Sequence, residues 1–283
     1  MASVVSSAKV RKYAGKAFTV ILLVFFAVVF FMPFLWMFST SIKPDNQVFL
    51  NPPVWIPDPV LWSNYAEVFE RIPMLTYVKN TFVTSILPVI GSLLSAPIVA
   101  YGLTKIPWRG PKFIFPIILA TMMIPWQVTQ IPLYLTWSNL GFVNTFVPLV
   151  LPAFFGSAYY IYLMRQFVKS LPDSVIEASR IDGAGEITIL ARVVYPMCKP
   201  VLTTIAILVF IGHWNDLNGP LLYLQNGSKY TLSIGLQIFL SDANQEWNLL
   251  MAASVLFTAP LIIIFFIAQK QFISGISTTS GLK

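Results

Sequence analysis

Residues 177–183 read Glu177-Ala178-Ser179-Arg180-Ile181-Asp182-Gly183, and nine residues after Gly183 the chain reads Val193-Val194-Tyr195-Pro196. Both pieces lie in a charged stretch at about 165–199, set between two long apolar runs. In a membrane protein such a loop is a place for another protein to grip. Pro172, Asp173 and Ser174 suit the first turn of a helix, where a missing N–H and negative charge are tolerated. That helix runs through Ile176, Glu177, Ala178, Ser179 and Arg180, and Gly183 permits the left-handed backbone that ends a helix sharply. A second helix follows, with Ile187, Leu190, Ala191 and Val194 spaced as one apolar stripe. Pro196 and Pro200 end it. Ala178 and Ser179 are small enough for a partner backbone to come close, and Glu177 and Asp182 supply charge at the rim. The plainer reading is a solvated amphipathic loop in which Glu177 and Arg180 form an i, i+3 pair worth about 0.2–0.5 kcal/mol.

Working outward, the chain is 57% hydrophobic and 10% charged, with mean hydropathy +0.74. A soluble domain carries about 25% charged residues, so the composition places this chain in a bilayer. Apolar runs of about 20 residues suit helices rather than the dyad alternation of a barrel. The expected fold is all-α, a polytopic membrane protein with six transmembrane helices at roughly 17–38, 80–103, 113–135, 145–164, 200–222 and 249–268. The first run follows Lys9, Arg11, Lys12 and Lys16 but is too long for a signal-peptide h-region, and it reads as a retained span. The linker at about 39–79 is rich in Pro, Asn and Trp, which suits turns and short surface helices at headgroup level. The expected organisation is therefore 1–79 (N-terminus, first span and outer loop), 80–268 (a five-span core carrying the loop at about 165–199) and 269–283 (a tail).

The net charge of +7 does not point to nucleic acid, because the cations sort by loop. Fourteen of the 18 Lys and Arg fall on one side, including Lys105, Arg109, Lys112, Arg165, Lys169, Arg180, Arg192 and Lys199. The positive-inside rule makes that side, the Glu177 loop and both termini cytoplasmic, in a multi-pass cell-membrane protein. The single cysteine, Cys198, permits no intrachain disulfide and reads as small apolar filler, and lone His213 offers no metal pair. No phosphate-binding P-loop pattern occurs, so ATP hydrolysis, if used, belongs to a partner.

The loop resembles the EAA motif of ABC importer permeases, in which Glu-Ala-Ala, three residues, Gly, nine residues and Ile-x-Leu-Pro is usual. Glu177, Ala178, Gly183 and Pro196 match; Ser179, Val193 and Tyr195 are departures, Ser179 adding a hydroxyl to the contact surface. The likeness continues in order along about residues 60–283. It takes in Asn64-Tyr65 with Lys79-Asn80-Thr81, Met123-Ile124-Pro125-Trp126-Gln127-Val128, Gly141-Phe142-Val143-Asn144-Thr145, Trp214-Asn215-Asp216 with Pro220-Leu221, and the ending Gly281-Leu282-Lys283. The chain is similar to the second permease of maltose-type carbohydrate importers. Resemblance implies the MetI-like permease fold, a heterodimer with a paralogous permease, two copies of a cytoplasmic ABC ATPase, and an extracytoplasmic sugar-binding protein. It also implies that ATP and Mg are bound by the ATPase, with no cofactor in this chain, which would be a transport subunit and not an enzyme.

Within the spans, Gln127, Trp214, Asn215 and Asp216 are candidates to line a translocation path, since intramembrane polar groups usually face a bundle interior or a water-filled path. The competing reading is packing or interfacial anchoring, with Pro125 as a kink whose freed groups Gln127 satisfies. His213 and Asn218 depart from the residues usual beside this cluster. Rival functions are a stand-alone secondary transporter, a membrane enzyme, and an ABC permease for a non-sugar solute such as a glycerol phosphate. The first would show charge relays and paired broken helices in two halves. The second would need more converging acid, base or metal groups than one His, one Cys and one intramembrane Asp.

Overall fold

The computed structural model describes residues 2–241 and 246–280; the Gly281-Leu282-Lys283 ending lies outside them. The described residues contain no strand. In chain order the helices are α1 (Ala2–Ser41), α2 (Ser63–Arg71), α3 (Met74–Gly102), α4 (Pro111–Thr121), α5 (Trp126–Asn139), α6 (Val147–Val150) and α7 (Ala158–Ser170). There follow α8 (Asp173–Ile181), α9 (Glu186–Ile189), α10 (Tyr195–Met197), α11 (Lys199–Trp214), α12 (Asn218–Tyr223), α13 (Leu232–Ser241) and α14 (Trp247–Ser280). Four segments are long and apolar enough to cross a membrane: Gly15–Ser41, Met74–Gly102, Val147–Ser170 and Trp247–Ile267. Two bent helix pairs bring the number to six if each is one span. Those six fall on the six expected apolar runs.

Three of the runs are not the continuous helices their composition suggests. The third breaks between α4 and α5 with a 96° bend. Pro125 sits at the break, lacking an N–H and driving the residue before it out of helical geometry. The fourth changes from α6 to a 3₁₀ turn at Leu151–Phe155, passes Gly156 at φ 92°, and resumes as α7. The fifth ends at Trp214, not near residue 222, and α12 is a separate short helix. The sixth helix runs on to Ser280, so no helical break marks the expected boundary near 268.

The chain divides into two compact units. In the first (Met1–Arg71 and Phe239–Thr258), the amide of Asn64 donates to the carbonyls of Ser41 and Lys43, each at 2.9 Å, closing the end of α1. Ser41 and Tyr65 hydroxyls meet at 2.8 Å, and Arg71 pairs with Glu246. The Asn64-Tyr65 dipeptide is thus a cap for the first span's end.

In the second unit (Ile72–Ile238 and Ala259–Lys283), α3 is the central element, packed on α7, α11 and the 3₁₀ turn. Its face carries Gly91, Ser92, Ser95, Ala96 and Ala100, and such small residues let helices approach closely without a hydrophobic driving force in lipid. A Cβ on Gly91 would lie 2.7 Å from the Phe154 ring, and Ser95 Oγ donates to the Ala153 carbonyl at 2.9 Å. These contacts hold the irregular turn of the fourth run. Ala96, Ala100, Met164, Val168, Ile189, Val194, Cys198 and Ile205 form one buried cluster, placing the charged loop on the same core as the spans.

At the far end of the unit, Asn80 donates to the carbonyls of Ser228 and Tyr230 at 3.0 and 2.9 Å. Asn144, at φ 60°, accepts from the backbone N–H of Gln225 and Asn226. Asn80 and Asn144, in the Lys79-Asn80-Thr81 and Asn144-Thr145 motifs, therefore pin loops.

Candidate functional site

The charged loop folds as the expected helix, turn and helix. Pro172 precedes α8 in extended geometry, and Asp173 opens the helix, where a carboxylate meets the positive end of the dipole. At the other end, Gly183 has φ 82°; its N–H donates to the Arg180 carbonyl and the Ala184 N–H to the Ser179 carbonyl, each at 3.0 Å. That double bond pattern is a Schellman cap with glycine at the left-handed position.

The second helix departs from its expected register. Between α9 and α10 the chain makes a π-helical turn at Leu190–Val194. The extra residue in that turn rephases the buried face, so Ile189 and Val194 are enclosed while Ile187 and Ala191 are exposed. Ile187 is 84% exposed and Ile181 is 85% exposed, on either side of the Gly183 turn. The helix then meets α11 at an 80° bend around Cys198, with Pro200 in the first turn of α11. Cys198 is fully buried, as apolar filler should be.

What holds this loop is a set of polar contacts to the end of α3. Lys105 Nζ donates to the Leu171 carbonyl at 2.8 Å and pairs with Asp173 Oδ1 at 2.6 Å, fixing the start of α8. Arg180 pairs with Glu186 (Nε to Oε1, 2.9 Å) and also donates to the Lys105 carbonyl at 2.9 Å. The Tyr101 hydroxyl donates to the other oxygen of Glu186. Hydrogen bonds from Arg180 first, then Tyr101, hold the Glu186 carboxyl below its usual range. The expected Glu177–Arg180 pair is thus replaced: Arg180 turns to Glu186. Glu177 and Asp182 are exposed and make no ion pair among the described residues. Ser179 Oγ donates to the Val175 carbonyl at 2.8 Å, so its hydroxyl serves the helix and not the surface; Ala178 is exposed.

The four path candidates do not form one constellation. Trp214 is fully buried, its ring 5.0 Å from that of Phe82 and 5.3 Å from that of Phe210, which makes it a packing residue. Asn215 is exposed at the end of α11, and Asp216 Oδ1 accepts the Gly219 N–H at 3.1 Å, capping α12. Gln127 is exposed in the first turn of α5 and makes no hydrogen bond at the Pro125 break among the described residues. No hydrogen bond among the described residues joins it to Asn215 or Asp216. Sequence reading missed Tyr101 and Lys105, whose partners are distant in the chain, and Glu186, whose partner Arg180 lies across the Gly183 turn.

A model of the family "binding-protein-dependent transport system inner membrane component" matches residues 93–278, which include the whole charged loop. The chain belongs to this family. The arabinooligosaccharides transport system permease protein of Halalkalibacterium halodurans is 31% identical over 262 residues, covering 92% of this chain and 93% of that one. The diacetylchitobiose uptake system permease protein of Streptomyces coelicolor is 30% identical, covering 89% and 93%. A further relative, the sn-glycerol-3-phosphate transport system permease protein of Yersinia pestis, is 29% identical over 90% of this chain and 94% of its own. Among solved structures, a bacterial ABC transporter involved in the import of the acidic polysaccharide alginate aligns with TM-score 0.79 and 29% identity, covering 90% and 95%.

The protein is accordingly a membrane-embedded permease subunit of an ABC importer with the MetI-like fold, a transport component and not an enzyme. Membership implies an ATPase and a substrate-binding protein as partners.

Proposed function

We propose that the chain is one permease of a heterodimeric importer for a sugar or oligosaccharide, working with two copies of an ABC ATPase that bind ATP and Mg in the cytoplasm. The substrate reading rests on the oligosaccharide relatives named above. Both termini and the loop at 165–199 lie on the cytoplasmic side in this reading, which the segregation of 14 of 18 cations supports. The loop at Glu177, Ala178, Ser179, Asp182 and Gly183 is the ATPase contact, and Asn215, Asp216 and Gln127 face the path.

One observation carries this reading: two almost fully exposed isoleucines, Ile181 and Ile187, flank a rigidly capped turn that is tied to α3 by Lys105, Arg180 and Glu186. A surface that exposes large apolar side chains beside unpaired carboxylates, on a firm base, suits a partner groove. ATP-driven closure of the ATPases would move α8 as a body, and the contacts to Tyr101 and Lys105 would carry that motion into α3. The spans would then alternate between inward- and outward-facing arrangements.

The test is to purify the assembled complex carrying Ile181→Asp and Ile187→Asp. The ATPase should dissociate while the two permeases stay together; retention of ATPase at wild-type stoichiometry would remove the loop from the interface. A second substrate class, glycerol phosphates, is favoured by the Yersinia relative. Stimulation of ATP hydrolysis by binding proteins loaded with either ligand class decides between them.

A further inference from the structure

The second unit carries a group of cations on α4 and α7 that make none of the contacts holding α8 and α9. α4 and α7 meet where the Arg165 guanidinium lies over the Phe115 ring, 3.9 Å from its centroid, and Phe115 stacks in turn with Tyr162. Lys112 precedes Phe115 by three residues and Lys169 follows Arg165 by four, so each lysine shares the face of its helix that makes this contact. The two helices run in opposite directions here. Lys105, six residues before α4, reaches Leu171, the residue after α7, so the start of one helix and the end of the other lie at the same level. Lys112 and Lys169 therefore sit about 4–6 Å beyond the Phe115–Arg165 contact, toward the same end.

Among the described residues no carboxylate pairs with Lys112, Arg165 or Lys169. Arg165 Nε is enclosed without an acceptor, and no hydrogen bond from its terminal amino groups occurs among the described residues. The aromatic face thus orients a guanidinium whose two terminal amino groups can make parallel bonds to a phosphate, while the enclosed Nε stays out of reach. Trp108, half exposed and donating to the Gly102 carbonyl at 2.8 Å, marks the membrane–water level just before α4. Beyond the cations the same face of α4 is apolar: Pro116, four residues after Lys112, is exposed, and Met122, seven after Phe115, is 47% exposed.

We propose that Lys112, Arg165 and Lys169 bind the phosphodiester headgroup of an anionic phospholipid whose acyl chains lie along α4. Three cations on adjoining helix faces, at one end of α4 and α7 and beside an apolar flank at headgroup level, complement both halves of such a lipid. The site needs only that level, and it stands whichever way the chain is oriented in the membrane.

The test uses the assembled transporter in a neutral detergent, with phosphatidylglycerol or phosphatidylcholine added and bound lipid counted by native mass spectrometry. Wild type should retain phosphatidylglycerol about tenfold or more tightly than the Lys112→Gln/Arg165→Gln/Lys169→Gln variant, with phosphatidylcholine equal in both. Arg165→Lys, which keeps the charge but not the fork, should fall between them. Excess inorganic phosphate should leave the lipid bound. Equal phosphatidylglycerol retention in wild type and the triple variant overturns the proposal, and displacement by phosphate reduces the site to a free-anion site and overturns it as well. So does loss of subunit assembly in Lys112→Gln/Lys169→Gln, which would assign this face to a protein neighbour.

Discussion

Arg180 and Glu186 close the loop around Gly183, one from each of its two helices, with Nε and Oε1 2.9 Å apart. Because Arg180 also reaches the Lys105 carbonyl and Glu186 also accepts from Tyr101, the pair joins both loop helices to α3. As an exposed ion pair it is worth about 0.2–1 kcal/mol to stability, so its importance lies in positioning.

Glu186→Gln or Arg180→Ala should therefore leave expression and thermal stability nearly unchanged while lowering binding-protein-stimulated ATP hydrolysis about fivefold or more, the lower range of ordinary coupling free energies. The exchanged pair Arg180→Glu/Glu186→Arg should recover part of the loss. Stimulation equal to wild type in both single variants would mean that the pair transmits nothing.

The same pair sets a pH dependence. The folded Glu186 carboxyl titrates below the ordinary glutamate value of 4.5, so its stabilising contribution is complete above that value and is lost as pH falls through the lower, folded one. The difference in melting temperature between wild type and Glu186→Gln should stay constant from about pH 8 to pH 6 and shrink only below about pH 4.5. A difference that changes across neutral pH would assign the dependence to another group.

Gly183 offers a cleaner conformational test, because nothing lies within 4 Å of the position a Cβ would take. Any defect of Gly183→Ala must come from the φ of 82° itself, at a cost of about 1–2 kcal/mol, and Gly183→Val should be worse. Transport should fall with Ala, vanish with Val and survive in Gly183→Asn, since asparagine tolerates the left-handed region. Full uptake by a well-expressed Gly183→Val complex would remove the mechanical role of the turn.

Orientation can be tested at Ser174, an exposed residue of α8. A cysteine there should react with an impermeant maleimide only after the membrane is opened, and the fully buried Cys198 should stay silent. If a thiol-free background is wanted, Cys198→Ala suits it better than serine, whose hydroxyl would be buried without a partner at a cost of about 1–3 kcal/mol. Labelling in intact cells would invert the topology.

At the other end of α11, Trp214 and Asn215 should separate cleanly. Trp214→Ala should cost about 3–5 kcal/mol and reduce the yield of folded complex. Asn215→Leu should keep the yield and slow uptake while stimulated ATP hydrolysis persists. Unchanged uptake would leave Asn215 without a part in the path.

The number and order of the spans were legible because each needs a long apolar run, and so was the Gly183 turn, because one backbone conformation there demands glycine. The breaks were harder to read: Pro125 announces itself, but the irregular turn at Leu151–Phe155 depends on the space that Gly91 leaves on α3, sixty residues earlier. The stripe through Ile187, Leu190, Ala191 and Val194 was mis-phased because a simple helical period has no place for the π turn. Tyr101 and Lys105 carried no local signal, since their pairings lie 66–85 residues away, and Glu186 was missed because its pairing with Arg180, six residues back, crosses the Gly183 turn and follows no single-helix spacing.

The span Gly15–Ser41 has no part of its most apolar window buried within the chain, whereas 44% of the corresponding window of Met74–Gly102 is buried. This difference bears on biosynthesis. A segment that gains nothing from its own chain must partition into the bilayer on composition alone, so it can leave the translocon as soon as it is made. The interrupted helices that follow leave backbone groups at their breaks that only neighbours can satisfy, and these must wait for α3 and α11 before the lipid will hold them. The order of synthesis thus places this self-sufficient span ahead of the interrupted ones that depend on company.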